Sequence, residues 1–328
     1  MSLPEINYCP GTLSAGYNTY SRAALNNVFN GRLVSHILPY NSPEVDEATD
    51  ALYFENQKHI SISGVQIKYS LLLEKNKLRL TKAEEKGTHI LKPIPAGVKN
   101  ADQLPANEHL TMQIAQQIFG IETASNAMIF FKDGKHAYIT KRFDVKDKGG
   151  KWAKEDFASL AERTPQTHGE HYKYIGSYLD LFNLMKEHLP AYSIEAPKLY
   201  KLIAFNYLFM NGDAHFKNFS LIENLHGDFR LSPAYDLLNT RLHISDSDFA
   251  LEEGLLPKKI AKGKVMKQFL LLAEHAKINQ KQTDKIWKGL LSSSDKVESL
   301  INASFLNEKT KNSYLQFYQT RYKKLIRE

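Results

Sequence analysis

Periodic hydrophobicity sets in near residue 67. Ile67-Lys68-Tyr69-Ser70-Leu71-Leu72-Leu73 and Lys77-Leu78-Arg79-Leu80-Thr81 flank a short charged turn and predict a β-hairpin. Thr88-His89-Ile90-Leu91-Lys92 predicts a third strand, stopped by Pro93 because proline has no N–H for a ladder. The period then becomes helical: Leu110, Ile114 and Ile118 recur every fourth residue, Asn107 after Pro105 is placed to cap the start, and Gly120 suits the residue just past the end. Met128 to Phe131 and His136 to Phe143 predict two more strands about Lys132-Asp133-Gly134. Up to Lys58 periodicity is weak, and turn formers such as Pro39-Tyr40-Asn41-Ser42-Pro43 mark an irregular leader or small appendage.

The second half is patterned for helices. Tyr178, Leu181, Phe182, Met185 and Leu189 form one apolar face, and a helix beginning after Pro197 carries Leu199, Leu202, Ile203, Phe209 and Met210. Phe219-Ser220-Leu221-Ile222 and Asp228-Phe229-Arg230-Leu231 predict a second hairpin about His226-Gly227, and lysine-rich helical patterns run from Leu255 onward. The fold class is therefore α+β. A small β-rich lobe (59–144) follows the appendage (1–58) and precedes a larger, mainly helical lobe (145–328).

Composition narrows the class without choosing an activity. At 328 residues, 42% hydrophobic and 24% charged, the chain can bury a large core. The lone cysteine, Cys9, excludes an internal disulfide framework and suits a reducing cytoplasm. No apolar run approaches the roughly 20 residues of a membrane span. The net charge of +7 is spread over scattered lysines with no block of five or six, which favours a solvated surface over a dedicated nucleic-acid face.

The chemistry is concentrated in Asn211-Gly212-Asp213-Ala214-His215-Phe216-Lys217-Asn218 and, beyond the second hairpin, Ala234-Tyr235-Asp236. Protein kinases use an Asp to accept the proton of the acceptor hydroxyl, an Asn after four intervening residues to hold Mg²⁺, and a second Asp past a hairpin to hold metal on the ATP phosphates. Asp213, Asn218 and Asp236 occur in that order. The preceding strands and helix follow the order of a kinase small lobe, which makes Lys92 a candidate phosphate-binding lysine and Glu108 its carboxylate partner. A surface lysine at a strand end, or a glutamate favoured by a helix dipole, would read the same way. Lys141 and Phe143 stand at the connector between lobes, where nucleotides are commonly met. His215 and Lys217 are both placed to neutralise the phosphoryl group in transfer. No Cys/His spacing suggests zinc, and no Gly-x-Ser-x-Gly turn suggests a hydrolase.

Taken together, Ser61-Ile62-Ser63-Gly64-Val65-Gln66-Ile67-Lys68, Thr88 to Lys92, Arg142-Phe143-Asp144, Asn211 to Asn218 and Leu231-Ser232-Pro233-Ala234-Tyr235-Asp236 resemble the HipA-like serine/threonine kinase toxins of bacterial toxin–antitoxin systems. The resemblance runs from about Ser61 to Leu238, with five motifs in order. It implies ATP and Mg²⁺ as cofactors, Asp213 as base, Asn218 and Asp236 as metal ligands, and Lys92 on the phosphates. It also implies an aminoacyl-tRNA synthetase as protein substrate, phosphorylated so that translation stops and growth arrest and persistence follow.

Two departures refine the resemblance. The Gly-x-Gly-x-x-Gly loop of ordinary kinases is replaced by Ser61-Ile62-Ser63-Gly64, which the family uses as a gate regulated by autophosphorylation; Ser61 and Ser63 are the candidate sites. An added phosphate brings about −1.5 to −2 charges beside the nucleotide. The segment before Ser61 is also too short and dissimilar for the extra subdomain of long HipA-like toxins. The chain looks more like the short HipT-type toxins of three-gene systems, whose partners are a small HipS-like antitoxin and a HipB-like DNA-binding protein. The resemblance implies contact with DNA only through that last partner. Gly-Asp-x-His-x-x-Asn also occurs in small-molecule kinases acting on aminoglycosides or choline, and a silent kinase fold acting as a binding module would share the fold.

Overall fold

The computed structural model describes residues 5–43, 67–82, 84–146 and 149–328. The Ser61 and Ser63 gate lies outside the described residues, as does the boundary expected at residue 58.

The N-terminal part is not irregular throughout. It contains helix α1, Arg22–Phe29, started by Ser21, whose side chain accepts from Ala24 N–H, and ended by Asn30 in the left-handed region. Strands β1 (Tyr69–Glu74), β2 (Lys77–Leu80) and β3 (His89–Pro93) follow. A 3₁₀ turn, Ala101–Gln103, leads into α2 (Leu104–Gln117), and then come β4 (Asn126–Phe130) and β5 (His136–Lys141). The strands form one antiparallel sheet in the order β2-β1-β3-β5-β4. Helices cover both faces: Val28 and Phe29 of α1 share a core with Leu71, Leu91 and Ile139, and Leu110 and Ile114 of α2 share another with Met128 and Tyr138. The leader also closes the β4 edge, because Phe130 N–H bonds His36 O and Leu38 N–H bonds Phe130 O.

Pro93 ends β3 from inside it. It pairs with Ala137 of β5, while the β1 ladder stops at Leu91, so no donor is needed on that side. Asn107 does not cap α2. Pro105 occupies the first turn, where its missing N–H costs nothing, and Asn107 lies within the helix, fully buried.

The larger lobe opens with β6 (Lys154–Asp156) and the short helices α3 (Phe157–Leu160) and α4 (Pro165–His168), followed by α5 (Tyr178–His188) and α6 (Tyr192–Leu208). Helix α6 begins five residues before Pro197 rather than after it; the proline sits in its second turn. A 3₁₀ turn (Phe216–Asn218), β7 (Ser220–Glu223) and β8 (Phe229–Leu231) form the expected hairpin, and β6 joins it as a third strand. After a 3₁₀ turn at Thr240–Leu242 come α7 (Val265–His275), α8 (Gln280–Leu291), α9 (Ser294–Ala303) and α10 (Glu308–Arg327). Helix α6 is the buried axis: Phe209 at its end stacks on Tyr318 of α10 at 5.1 Å, and buried Arg321 donates to Tyr207 Oη at 2.9 Å. No helix among the described residues is long and apolar enough to cross a membrane.

Candidate active site

Three residues far apart in sequence meet where the two lobes face each other. Lys92, 4% exposed near the end of β3, places Nζ 2.5 Å from Glu108 Oε1 on α2 and 2.5 Å from Asp236 Oδ1 beyond β8. Strand alternation puts Lys92 and its cross-strand partner Tyr138 on the α2 face of the sheet, and the ammonium lies 5.3 Å from the Tyr138 ring centroid. Burial works against the charge on Lys92, but Asp236 and then Glu108 outweigh it and hold its pKa above the ordinary lysine range. Burial also opposes ionisation of Asp236; Lys92 and Lys68, the latter 3.8 Å away, offset it and keep the carboxyl well below the usual carboxylate range. Burial pushes the Glu108 carboxyl up, with Lys92 pulling the other way.

Asp236 adopts a left-handed backbone, φ 55°, which is costly for most residues with a Cβ. The segment is fixed on both sides. Ala234 N–H bonds Glu122 O and Ala124 N–H bonds Ala234 O, while Asn211 Nδ2 donates to Asp236 O at 3.3 Å. Tyr235 Oη donates to Lys217 O at 2.9 Å, so the residues just before Asn218 and Asp236 are tied to each other. This is how the β7–β8 hairpin returns Asp236 to the Asp213 loop.

Within that loop, Asp213 is 8% exposed, and the phenol of Tyr174 donates to its Oδ1 at 2.8 Å. Asn218 Oδ1 accepts His215 N–H at 3.1 Å, leaving the second lone pair of a carbonyl oxygen for a cation. His215 does not supply positive charge. Burial, reinforced by Lys173, depresses its pKa to about 3, so the ring is neutral near pH 7 and serves as packing, edge-on to Tyr174 at 5.1 Å. Lys217 is exposed and donates to Tyr172 Oη at 3.3 Å. Phe143 lies 5.8 Å from Tyr235 in the connector. Lys141 is placed elsewhere: it lies one residue out of phase with Thr140 and Tyr138, on the α1 face of the sheet, and donates to Asn30 Oδ1 at 2.6 Å.

Several contributors had no sequence signal of their own. Lys173 and Tyr174 come from the stretch before α5. Burial lowers the Lys173 pKa, and the negative charge of Asp213 opposes that shift. Asn107 staples α2 to the segment after Asp236: its Nδ2 donates to Asn239 O at 2.8 Å and its Oδ1 accepts Asn239 N–H at 3.0 Å. Nδ2 also reaches His243 Nε2 at 2.9 Å, and His243 Nδ1 faces Lys99 O. Burial holds His243 near pKa 4, which suits a neutral ring donating from Nδ1. Gly212 N–H bonds Thr240 Oγ1 at 2.9 Å, and Thr240 in turn bonds the Asp246 carboxylate.

Among the described residues no group of three or more His, Cys, Asp or Glu side chains could by itself hold a metal. Magnesium that arrives with a nucleotide takes one or two protein ligands and completes its octahedron with phosphate oxygens and water. Asp236 and Asn218 each carry a side-chain oxygen of the kind magnesium takes.

Residues 60–297 match the family of HipA-like C-terminal domains. The chain belongs to that family. Among curated relatives, a putative kinase of Haemophilus influenzae is 24% identical over 96% of both chains. The putative kinase Y4mE of Sinorhizobium fredii is 30% identical over 55% of this chain and 42% of its own length. Among solved structures, the HipA of Shewanella oneidensis, determined with HipB and its operator DNA, superposes with a TM-score of 0.60 at 19% identity, covering 89% of this chain and 72% of that one. The proinflammatory kinase CtkA of Helicobacter pylori gives 0.52 at 14% identity, covering 78% and 93%. At these identities the two structures establish a shared fold, the α+β, kinase-like arrangement expected for the HipA-like chain.

Proposed function

We propose that this chain is a Mg-ATP-dependent serine/threonine protein kinase of the toxin type, with Asp213 as base, Asn218 and Asp236 as magnesium ligands, and Lys92 as phosphate anchor. The supporting observation is the Glu108–Lys92–Asp236 bridge. A fully buried lysine shared by two carboxylates from different lobes is weak evidence for stability as such, since apolar replacements often stabilise as well. It is what aiming an ammonium at a phosphate requires. Lys92 exchanges Asp236 for phosphate oxygens while Glu108 keeps it oriented, and Asp236 and Asn218 are then free to bind a cation. Magnesium, when bound, neutralises charge on the phosphate oxygens and orients the transferring group. Asp213 takes the proton of the acceptor hydroxyl; the acceptor oxygen bonds to the γ-phosphorus, and the bond to the bridging oxygen breaks with its electron pair leaving on ADP. Lys173 and Lys217 offset negative charge at the same place.

The acceptor is a protein hydroxyl, on an aminoacyl-tRNA synthetase in the cytoplasm, and autophosphorylation at Ser61 or Ser63 regulates access. A HipB-like DNA-binding protein and a small HipS-like antitoxin are the partners; the first draws support from the Shewanella relative, which was solved with HipB and DNA. The test is radiolabelled ATP with magnesium, followed by phosphoproteomics of cells expressing the chain against its Asp213→Asn variant. Label on the chain and on a synthetase, both lost in the variant, is the expected result. Label on a metabolite and never on protein would overturn the protein-kinase assignment, and no transfer at all would overturn phosphotransfer.

A further inference from the structure

Two links of different chemistry join α2 to the segment that follows β8. The first is ionic and runs through Lys92, whose Nζ lies 2.5 Å from Glu108 Oε1 and 2.5 Å from Asp236 Oδ1. The second is neutral and direct. Asn107, the neighbour of Glu108 in α2 and fully buried, donates from Nδ2 to Asn239 O at 2.8 Å and accepts Asn239 N–H on Oδ1 at 3.0 Å. A single amide thus satisfies both backbone groups of one residue in the other lobe, and its loss would strand both of them in the interior. On the α2 side, Thr111 Oγ1 donates to Asn107 O at 2.9 Å. On the far side, Thr240 N–H bonds Met210 O at 3.1 Å and Gly212 N–H bonds Thr240 Oγ1 at 2.9 Å, which carries the link to the start of the Asp213 loop.

The ionic link does not outlast nucleotide binding. In the phosphotransfer reading above, on which this inference rests, Lys92 gives up Asp236 for phosphate oxygens. The bridge between the lobes therefore opens just when Glu108 has to stay in place to orient the ammonium. We propose that Asn107 is a positioning residue: its clamp on Asn239 holds α2, and with it Glu108, against the large lobe while Lys92 changes partners. Successive residues of a helix point about 100° apart, so Asn107 and Glu108 share a turn and address different partners. The clamp joins uncharged groups, so the arrival of phosphate and magnesium charge alters it far less than it alters an ion pair. Asn107 acts through Glu108 and not on the phosphates themselves.

The test measures steady-state phosphotransfer to protein by the unmodified chain, Asn107→Ala, Glu108→Gln and the double variant, at a temperature below the melting transition of all four. Asn107→Ala is expected to lower kcat about ten-fold on its own, and less than about two-fold where Glu108 is already Gln, because the clamp then has no carboxylate left to hold in place. A residue that only supports the fold would cost the same factor in both backgrounds, so equal losses overturn the proposal. An unchanged kcat in Asn107→Ala overturns it as well. If Asn107→Ala fails to fold, hydrogen exchange at the Asn239 amide of the unmodified chain decides: protection is expected both without and with a Mg-ATP analogue, and exchange at the unprotected rate once the analogue is bound overturns the clamp. An unmodified chain that transfers no phosphate defeats the phosphotransfer reading itself, a result distinct from an active chain indifferent to Asn107.

Discussion

Replacing Lys92 with Met removes the cation from between two carboxylates and leaves Glu108, 1% exposed, with no compensating charge at hydrogen-bond distance. Breaking a buried ion pair from one side costs about 3–5 kcal/mol, because the remaining charge keeps its desolvation penalty. Lys68 lies 3.8 Å from Asp236 and is partly exposed, so it relieves that carboxylate and leaves Glu108 as the main casualty. Lys92→Met is therefore expected to destabilise by about 3 kcal/mol, and Glu108→Leu by a similar amount. Lys92→Met with Glu108→Leu should cost little more than either alone, a coupling of about 2–3 kcal/mol. Urea unfolding of the four proteins, followed by far-ultraviolet circular dichroism at pH 7, measures this. A coupling below about 1 kcal/mol, the range of exposed pairs, would refute the buried bridge. The pH range follows from the shifts. Lys92, raised, contributes stability below its unfolded pKa of about 10.4 and loses it as pH rises past that value. Asp236, lowered, contributes above about pH 3.9 and loses its share as pH falls. Glu108, the other partner in the cycle, is raised by burial, so the coupling falls as pH drops through a value above the ordinary glutamate pKa of about 4.3 and should be fullest between neutrality and roughly pH 10.

The other predictions concern the loop and its supports. Asp213→Asn should cut phosphotransfer at least about 100-fold while shifting the unfolding midpoint little, measured by labelled ATP and thermal melting. Gly212→Ala builds a Cβ that overlaps the Asp246 carboxylate and lies 2.6 Å from Ser247 O, so a loss of about 1–3 kcal/mol in stability and a fall in kcat are expected from urea titration and kinetics. His89 and His243 are held near pKa 4, and His109 and His215 near 3, all chiefly by burial. Their unfolded forms take up protons first, so stability is complete above about pH 6.5 and falls below it, each contributing up to about 1.4 kcal/mol per pH unit. Equal stability at pH 7 and pH 5 would contradict that.

The strands were legible because each is short, patterned and bounded by turn residues, and the order strand–helix–strand placed Lys92 and Glu108 before any coordinates did. The order of Asp213, Asn218 and Asp236 can be read in the sequence because a short loop joins the first two and a hairpin leads from the second to the third. Positions whose role depends on what faces them were not. Asn107 carries the residue type and place of a cap, and only the fold shows Asn239 and His243 across from it. Lys141 falls one residue from the useful phase of β5, a distinction that needs the register. His215 and Lys217 looked equivalent as cations until burial separated them. Pro197 reads as a helix start, yet the preceding turn forms because Glu195 is drawn inside, its Oε2 accepting Leu231 N–H at 3.2 Å. Lys173 and Tyr174 come from a loop with no periodicity to flag it.

The left-handed backbone at Asp236 restricts what that position can become. The cation site proposed there needs an anionic oxygen on a short arm, and the main chain needs a residue that tolerates positive φ; aspartate and asparagine meet the second demand better than other side chains. Glutamate keeps the charge but lengthens the arm and fits that conformation poorly, and alanine loses the charge while keeping the strain. Asparagine is thus the cleanest probe of charge at this corner, and glycine, which relaxes the chain as it deletes the carboxylate, the cleanest probe of tension.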